Sequence, residues 1–119
     1  MKYMLLIYDN PDTREIFSGE QGPKLMATMN AIMEEVTESG ELIGTQALAD
    51  PSTAKSVRGP EGSPAITDGP FAEAKEFLGG YLVLDCELER ALEIAGRWPK
   101  TGTGGIEVRA LMNSSGAEM

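Results

Sequence analysis

The spacing of apolar residues along the chain predicts strands and helices in a definite order. A nearly unbroken apolar run from Lys2 to Tyr8 is typical of a buried strand, and it ends at Asp9. After Pro23 the apolar residues recur at helical spacing as far as Gly40. Proline suits the first turn of a helix and glycine the position just beyond its end, so we expect a helix between these two residues.

The rest of the chain predicts five further strands and a second helix. This helix runs from Leu88 to Trp98 and stops before Pro99, which cannot continue it. The polar stretch that follows the first strand begins with turn residues, and no element is assigned to it as far as Gly22. The predicted strands are Glu41 to Ala47, Ala54 to Arg58, Pro64 to Thr67, Phe77 to Asp85 and Ile106 to Met112.

This order predicts an α+β fold of the ferredoxin-like kind. With the short strands between residues 54 and 67 taken as an inserted β-hairpin, the remaining elements read βαββαβ. Such an order folds as an antiparallel sheet with both helices on one face. We expect a single domain over residues 1–112 and a flexible tail over residues 113–119. The other sheet face would be apolar and bare, so we expect a second copy of the chain to cover it in a homodimer.

Composition removes several kinds of chemistry. The 119 residues include 19 acidic and 10 basic side chains, for a net charge of −9, with one cysteine and no histidine. Without histidine there is no Ser-His-Asp or Cys-His catalytic unit, and we expect neither a metal nor another cofactor. An acidic chain repels nucleic acid, and no membrane-spanning run or secretory signal is recognised. We therefore expect a cytoplasmic protein with no nucleic-acid or membrane partner.

A charged segment between two predicted strands is the strongest candidate for chemistry. It begins with the tight-turn residues Asp68 and Gly69 and ends at Glu76, just before a strand. In a helical turn, Glu73 and Glu76 would share one side while Lys75 pointed elsewhere. Two neighbouring carboxylates can hold different pKa values, which acid–base catalysis requires. The same residues also fit a turn that only shapes the fold, or the lip of a small-ligand site.

The same segment carries a family signature. It closely resembles the signature of the DGPF group of YCII-related proteins, which it matches with Asp68-Gly69-Pro70-Phe71, then Ala72-Glu73-Ala74-Lys75-Glu76, then Leu78-Gly79-Gly80-Tyr81. Residues 1–8 resemble the opening strand of that family, and residues 107–109 resemble its closing strand. The resemblance therefore covers residues 1 to about 112.

The resemblance implies a dimeric α+β barrel but no settled activity. Relatives are often encoded beside, or fused to, extracytoplasmic-function sigma factors, so a sigma factor is an implied partner. A His–Asp pair has been suggested as the active site of some relatives, and this chain has no histidine with which to form it. Any catalysis must then rest on carboxylates, Lys75, Arg109 or tyrosines. We take Asp68 and Glu73 as the candidate catalytic residues.

Glycines and tyrosines supply further candidates for ligand contact. Gly79 and Gly80 lie inside a predicted strand, where paired glycines indicate a bulge or a close approach by backbone, a ligand or another subunit. Tyr8 and Tyr81 either pack against their neighbours or present hydroxyls to a pocket. Together with Lys75 and Arg109, these residues form the predicted ligand-binding set.

Two groups of charged residues leave alternatives open. Arg109, the arginine of that set, either faces outward or meets an anion, from segment 68–76 or from a substrate. Glu34, Glu35 and Glu38 lie near the end of the first predicted helix, where the helix dipole disfavours negative charge. They form either a solvated face or a surface that cations from another element or subunit approach.

Three hypotheses for the function follow. In the first, the chain binds a small molecule in a cleft near the DGPF segment, where Asp68, Glu73 and Arg109 allow cofactor-free acid–base catalysis. In the second, it is a regulatory or interaction module that acts with a sigma factor, which only the family resemblance implies. In the third, the DGPF segment shapes the dimer, and Asp68→Ala would lower stability or dissociate the two copies.

Overall fold

The structure is a computed structural model that describes residues 1–72, 74–113 and 116. Glu73, one of the two predicted catalytic residues, lies outside the described residues, and so does most of the predicted tail. Within the described ranges, none of the helices combines the length and the apolar character needed to cross a lipid bilayer.

The secondary structure follows the predicted order closely. The bounds of the long fifth strand agree with the prediction, and the first long helix ends just before Gly40, whose φ of 82° suits glycine. In chain order the elements are β1 (Lys2–Asp9), α1 (Thr13–Ser18), α2 (Gly22–Glu38), β2 (Leu42–Ala47), β3 (Lys55–Arg58), β4 (Ala65–Asp68), β5 (Phe77–Asp85), α3 (Leu88–Arg97) and β6 (Gly105–Ala110), with a 3₁₀ turn at Pro51–Thr53.

Four antiparallel strands form the main sheet, in the order β2-β5-β1-β6. Helices α2 and α3 pack on one face of this sheet. Strands β3 and β4 pair only with each other, as a separate two-stranded sheet inserted between β2 and β5. The predicted ferredoxin-like α+β fold with an inserted hairpin is therefore confirmed.

Alternate residues of β1 and β5 build the core beneath the helices. Tyr3 and Leu5 lie opposite Leu84 and Leu82 in the strand register, and all four are buried. Burying a side chain of this size contributes about 1.5–3 kcal/mol, so the buried face specifies the strand register. The helices complete the core with buried residues on their inner sides, which are Ile32, Val36, Ala91, Ile94 and Ala95.

The opposite face of the sheet, here called the open face, also carries apolar residues. Met4 and Leu6 of β1 alternate with the core residues and lie opposite Val83 and Tyr81 of β5. These four side chains are only half-buried in a single chain. The open face is therefore an apolar surface that faces away from both long helices.

Two local features differ from the expectation. Helix α1 lies in the polar stretch to which no element was assigned, and it is too short to show a helical repeat of apolar residues. The described residues between 71 and 76 form no helix. The helical turn that would bring Glu73 and Glu76 side by side is therefore not found in the described part of this segment.

Cations of α3 meet the acidic end of α2. Both terminal nitrogens of Arg97 donate to the carboxylate of Glu35, at 2.8 and 2.9 Å, and Arg90 donates to Glu35 at 2.8 Å. These hydrogen bonds, from Arg97 first and Arg90 second, lower the pKa of Glu35 to about 2. Arg90 also donates to Glu41 at 2.9 Å. Of the two alternatives for Glu35, approach by cations from another element is thus confirmed.

Candidate functional site

A cleft of about 370 Å³ opens at the end of the main sheet where β1 finishes, between the sheet and α2. Its volume lies within the range of about 300–1,000 Å³ that is usual for small-molecule sites. Most of its lining is apolar and comes from α1, α2, the sheet and the connecting loops, with Ile7, Phe17, Met29, Met33, Trp98 and Ile106 among the residues that line it.

Asp9 is the acidic residue of this cleft. It is the last residue of β1, and strand alternation places it on the same face as Ile7, beneath the helix layer. The side chain is half-buried, and burial raises the pKa of its carboxyl group above the usual value of 3.8. Among the described residues, none donates a hydrogen bond to this carboxylate or forms an ion pair with it.

Of the paired glycines in β5, Gly79 makes room for Asp9 and Gly80 for the backbone of β2. The register between β1 and β5 shifts after Ile7, and Gly79 is the extra residue of the resulting bulge. A Cβ atom at Gly79 would lie 1.9 Å from Oδ2 of Asp9, and one at Gly80 would lie 2.8 Å from the carbonyl oxygen of Gln46. The prediction of a bulge with a close approach at Gly79 and Gly80 is therefore confirmed.

A small hydrogen-bond network holds the loops beside Asp9. The buried Asn10 donates from Nδ2 to the carbonyl oxygen of Thr101 at 2.6 Å. The hydroxyl groups of Thr13 and Thr101 lie 2.8 Å apart, and Thr13 Oγ1 accepts from the backbone N–H of Asn10 at 3.0 Å. Because these polar groups satisfy one another, they position the end of β1 against the loop between α3 and β6.

The loop after α3 closes another side of the cleft. Trp98 follows the last helical residue and is 6% exposed. The ammonium group of Lys100 donates to the carbonyl oxygens of Ala95, Gly96 and Trp98, at 2.7, 3.2 and 2.8 Å. Lys100 thus caps the C-terminal end of α3, where a cation is favourable, and its three donors are occupied there.

Of the predicted tyrosine and arginine ligands, the two tyrosines, Tyr8 and Tyr81, line the cleft and the arginine does not. However, the hydroxyl of Tyr8 donates to Glu107 at 3.4 Å, on the open face. Arg109 is exposed on that same face and donates to Glu107 at 2.5 Å, which lowers the pKa of the glutamate. Of the two alternatives for Arg109, the structure shows the outward-facing one, away from the cleft.

The DGPF segment is attached to the hairpin. Asp68 is exposed and forms an ion pair with Lys55 across the β3–β4 pair. Gly69 has a φ of 96°; its N–H donates to the carbonyl oxygen of Ala54 at 2.7 Å, and its carbonyl oxygen accepts from Ser56 Oγ at 2.7 Å. Neither Asp68 nor the exposed Lys75 lines the cleft, and the roles assigned to them remain predictions.

A second, more open groove connects the cleft with the DGPF segment. Its volume is about 600 Å³, and it shares Asp9, Thr13, Leu48 and Gly79 with the cleft. Pro70 and Ala74 line its far side. The carboxyl group of Asp9 therefore lies where the enclosed cleft meets the groove, and the DGPF segment flanks the site through its backbone turn.

Asp9, Asn10, Thr13 and Thr101 were not predicted as site residues. The sequence of residues 9–12 indicates only the turn that ends a strand, which any small polar residue could form. A signal existed in the combination of an acidic residue closing an apolar strand with a Gly-Gly pair in another strand. This combination indicates a site only when the strand register is known, because the register places Gly79 beside Asp9.

These features define a ferredoxin-like α+β protein with an apolar cleft and a half-buried carboxyl group at its mouth. The family model of the YCII-related domain matches residues 1–115, and the chain therefore belongs to the YCII-related family. It is also 32% identical to an uncharacterized protein of Rhizobium meliloti (strain 1021) over 114 aligned residues. The alignment covers 93% of this chain and 92% of the relative. The predicted family is confirmed, and the name of this relative states no activity.

Proposed function

We propose that the protein binds a small molecule in the cleft, with Asp9 at the point of contact. One observation carries this proposal: a half-buried carboxyl group without a partner among the described residues stands at the mouth of an apolar cleft. Burying an unpaired carboxylate lowers stability, and a titratable group of this kind in a cleft is characteristic of functional sites.

The surroundings of Asp9 support a site that is formed before a ligand arrives. Asn10, Thr13 and Thr101 fix the loops on one side through mutual hydrogen bonds. On the other side the backbone of Gly79 lies directly against the carboxylate. A group held on a strand end by such neighbours loses little conformational entropy on binding, which favours affinity.

Asp9 is also the group available for cofactor-free acid–base chemistry. Burial shifts its pKa upward, towards neutral pH, which makes the carboxylate a stronger base than a solvated aspartate. A molecule bound in the cleft against Asp9 would exchange a proton with its carboxyl group directly. In this proposal Asp9 takes the role for which Asp68 and Glu73 were predicted.

The single tryptophan of the chain provides the test, because Trp98 lines the cleft. Titration with benzyl alcohol, a neutral aromatic probe that fits the cleft, should change Trp98 fluorescence in a saturable way. Ala47→Phe should fill the cleft and abolish the change, whereas Ala27→Phe, at an exposed position of α2, should preserve it. Equal responses of the two variants, or none from the unmodified protein, would contradict the proposal.

We also propose that two copies of the chain pair through their open faces. Leu6, Tyr81 and Val83 form a half-buried apolar surface, and an antiparallel sheet with one bare apolar face needs a cover. A second copy provides the same surface in a two-fold arrangement, with each chain covering the other. The cleft lies mainly on the side of the long helices, although Tyr81 belongs both to its lining and to the open face.

A further inference from the structure

We infer that the preferred ligand of the cleft is a compact apolar amine, bound as its ammonium ion to the carboxylate of Asp9. The inference rests on the proposed function and adds to it the charge and the size of the ligand. It follows from which charged and polar groups of the cleft are already engaged and which are not.

The charges of the cleft leave one group free to pair. Among the described residues that line it, only Asp9 and Lys100 are charged. The ammonium group of Lys100 donates to three carbonyl oxygens at the end of α3 and so has no hydrogen left for Asp9 or for an anionic ligand. In the adjoining groove, Arg14 and Asp50 pair with each other at 3.5 Å. A cation is therefore the charge that this site lacks.

The neutral polar groups beside Asp9 are also engaged. Asn10 donates to Thr101, and the hydroxyl groups of Thr13 and Thr101 bond to each other. Among the described residues of this network, none donates to the carboxylate of Asp9, and an ionised carboxylate accepts hydrogen bonds without donating any. A ligand that meets it must bring N–H or O–H donors. A carboxylate or phosphate ligand would bring negative charge to an already acidic chain.

The position of Asp9 reduces the free-energy cost of desolvating a bound ammonium group. Complete burial of an ion pair costs more free energy than the pair returns unless the geometry is excellent. Asp9 and Gly79 line both the cleft and the more open groove, so an ammonium group at Asp9 keeps contact with water on the groove side. The apolar body of the ligand then extends inward among Met29, Met33 and Trp98.

Three probes with the same ring and different polar groups test the inference: benzylamine, benzyl alcohol and benzoate. Their affinities are measured by Trp98 fluorescence and by amide chemical shifts at Asp9 and Gly79. Near neutral pH, benzylamine should bind about 10–100-fold more tightly than benzyl alcohol, as one hydrogen bond to a charged group implies. Benzoate should bind most weakly.

Matched variants isolate the carboxylate. Asp9→Asn should reduce the affinity for benzylamine to that for benzyl alcohol and leave the alcohol affinity within about threefold, because the cleft walls are unchanged. Asp12→Asn, at an exposed position that lines neither cavity, should leave the order of the three affinities as it is. In the unmodified protein, benzylamine affinity alone should fall as acid protonates Asp9, because a neutral carboxyl group no longer attracts the ammonium ion. The other charged side chains that line the cleft or the groove are Lys100 and the paired Arg14 and Asp50.

The outcomes separate this inference from the proposed function. If benzyl alcohol binds as tightly as benzylamine, or if benzoate binds most tightly, the amine inference is wrong and the small-molecule site stands. If none of the three probes changes the fluorescence or the amide signals, both proposals are overturned. If benzylamine is preferred but Asp9→Asn preserves that preference, the ammonium group binds elsewhere and the inference is also wrong.

Discussion

The carboxylate of Asp9 occupies the space that a side chain at position 79 would fill. A Cβ atom built on Gly79 would lie 1.9 Å from Oδ2 of Asp9 and 2.5 Å from its Cγ. These distances are far below van der Waals contact, so a larger residue at position 79 would force the Asp9 carboxylate out of this position. The proposed contact group and the bulge of β5 thus depend on each other.

Gly79→Ala should therefore lower the free energy of unfolding by about 1–3 kcal/mol, as for other substitutions that overfill a packed site. Gly44→Ala provides the control, because a Cβ at Gly44 would meet nothing within 4 Å and its φ is not positive. That variant should be neutral or up to about 1 kcal/mol more stable. Chemical denaturation measures both values.

A double substitution shows whether Asp9 is the cause. If Gly79→Ala is destabilising because of the carboxylate, its effect should shrink by about 0.5–3 kcal/mol in an Asp9→Ala background, as for contacting residues in a double-mutant cycle. Additive effects of the two substitutions would mean that the alanine at 79 disturbs the strand pair by another route.

The pKa of Asp9 predicts a pH dependence of stability. Burial raises that pKa above 3.8 in the folded chain, so the folded state holds the proton more tightly than the unfolded state. The free energy of unfolding should then fall as the pH rises from 3.8 through the raised value, and level off above it. Asp9→Asn should remove this loss, giving a higher melting temperature at neutral pH and little difference below pH 3.8. A variant less stable than the unmodified protein at neutral pH would show that the folded state favours the ionised carboxylate.

Arg90 should contribute strongly to the packing of α3 against α2. It donates to Glu35 at 2.8 Å, to Glu41 at 2.9 Å and to Glu93 at 2.5 Å, and its side chain is 27% exposed. Arg90→Gln should lower the free energy of unfolding by about 1–3 kcal/mol, because three carboxylates lose one donor at once. Arg14→Gln, whose side chain is 82% exposed, should change it by less than about 0.5 kcal/mol.

The stabilisation that comes from the ion pairs of Arg90 should be lost in acid. The pKa of Glu35 is about 2 in the folded chain and 4.5 ordinarily, so its contribution to stability is complete above pH 4.5 and is lost as the pH falls towards 2. The difference in melting temperature between the unmodified protein and Arg90→Gln should narrow over this interval. A difference that stayed constant from neutral pH to pH 2 would contradict the ionic origin of the contact.

Substitution of two different aspartates tests the location of the site. Asp9 lines the cleft, while Asp68 is exposed on the hairpin and paired with Lys55. Asp9→Asn should therefore change amine binding as measured by Trp98 fluorescence, and Asp68→Asn should leave it within about twofold. The reverse result would place the functional carboxylate in the DGPF segment, as the sequence alone predicted.

The open face predicts the oligomeric state of the protein. Leu6→Lys places a charge in the middle of this half-buried surface and should convert a dimer to a monomer. Leu92→Lys, at a position of α3 that is 53% exposed, adds the same charge elsewhere and should leave the dimer unchanged. Light scattering or sedimentation gives the mass in each case. An unmodified protein that stays monomeric at high concentration would contradict pairing through this face.

Much of the fold could be predicted from local pattern. The apolar runs of β1 and β5 and the helical repeats of α2 and α3 are long, and their periods differ clearly. Helix α1 has six residues and no buried side chain, so its sequence contains no apolar period to recognise. The glycine pair in β5 could be recognised as a bulge because a strand interior rarely contains two glycines.

The candidate site was predicted less well because it depends on contacts between distant segments. Asp68 and Glu73 stand out in sequence through charge density and a family signature, and neither property reports burial. Asp9 looks like an ordinary end of a strand until the bulge at Gly79 and the loop at Thr101 surround it. Burial without a partner among the described residues is a property of the tertiary structure, and it is this property that marks Asp9.

The separation of the β3–β4 hairpin from the main sheet has an evolutionary consequence. Within the described part of the chain, its strands exchange ladder hydrogen bonds only with each other, and the sheet order β2-β5-β1-β6 does not include them. Insertions or deletions in the hairpin can therefore accumulate without breaking a strand of the main sheet. Since Pro70 and Ala74, just after the hairpin, line the groove beside Asp9, such changes would alter access to the cleft. Descendants of one ancestral chain could in this way diverge in the molecules that enter the cleft while keeping the same hydrophobic core.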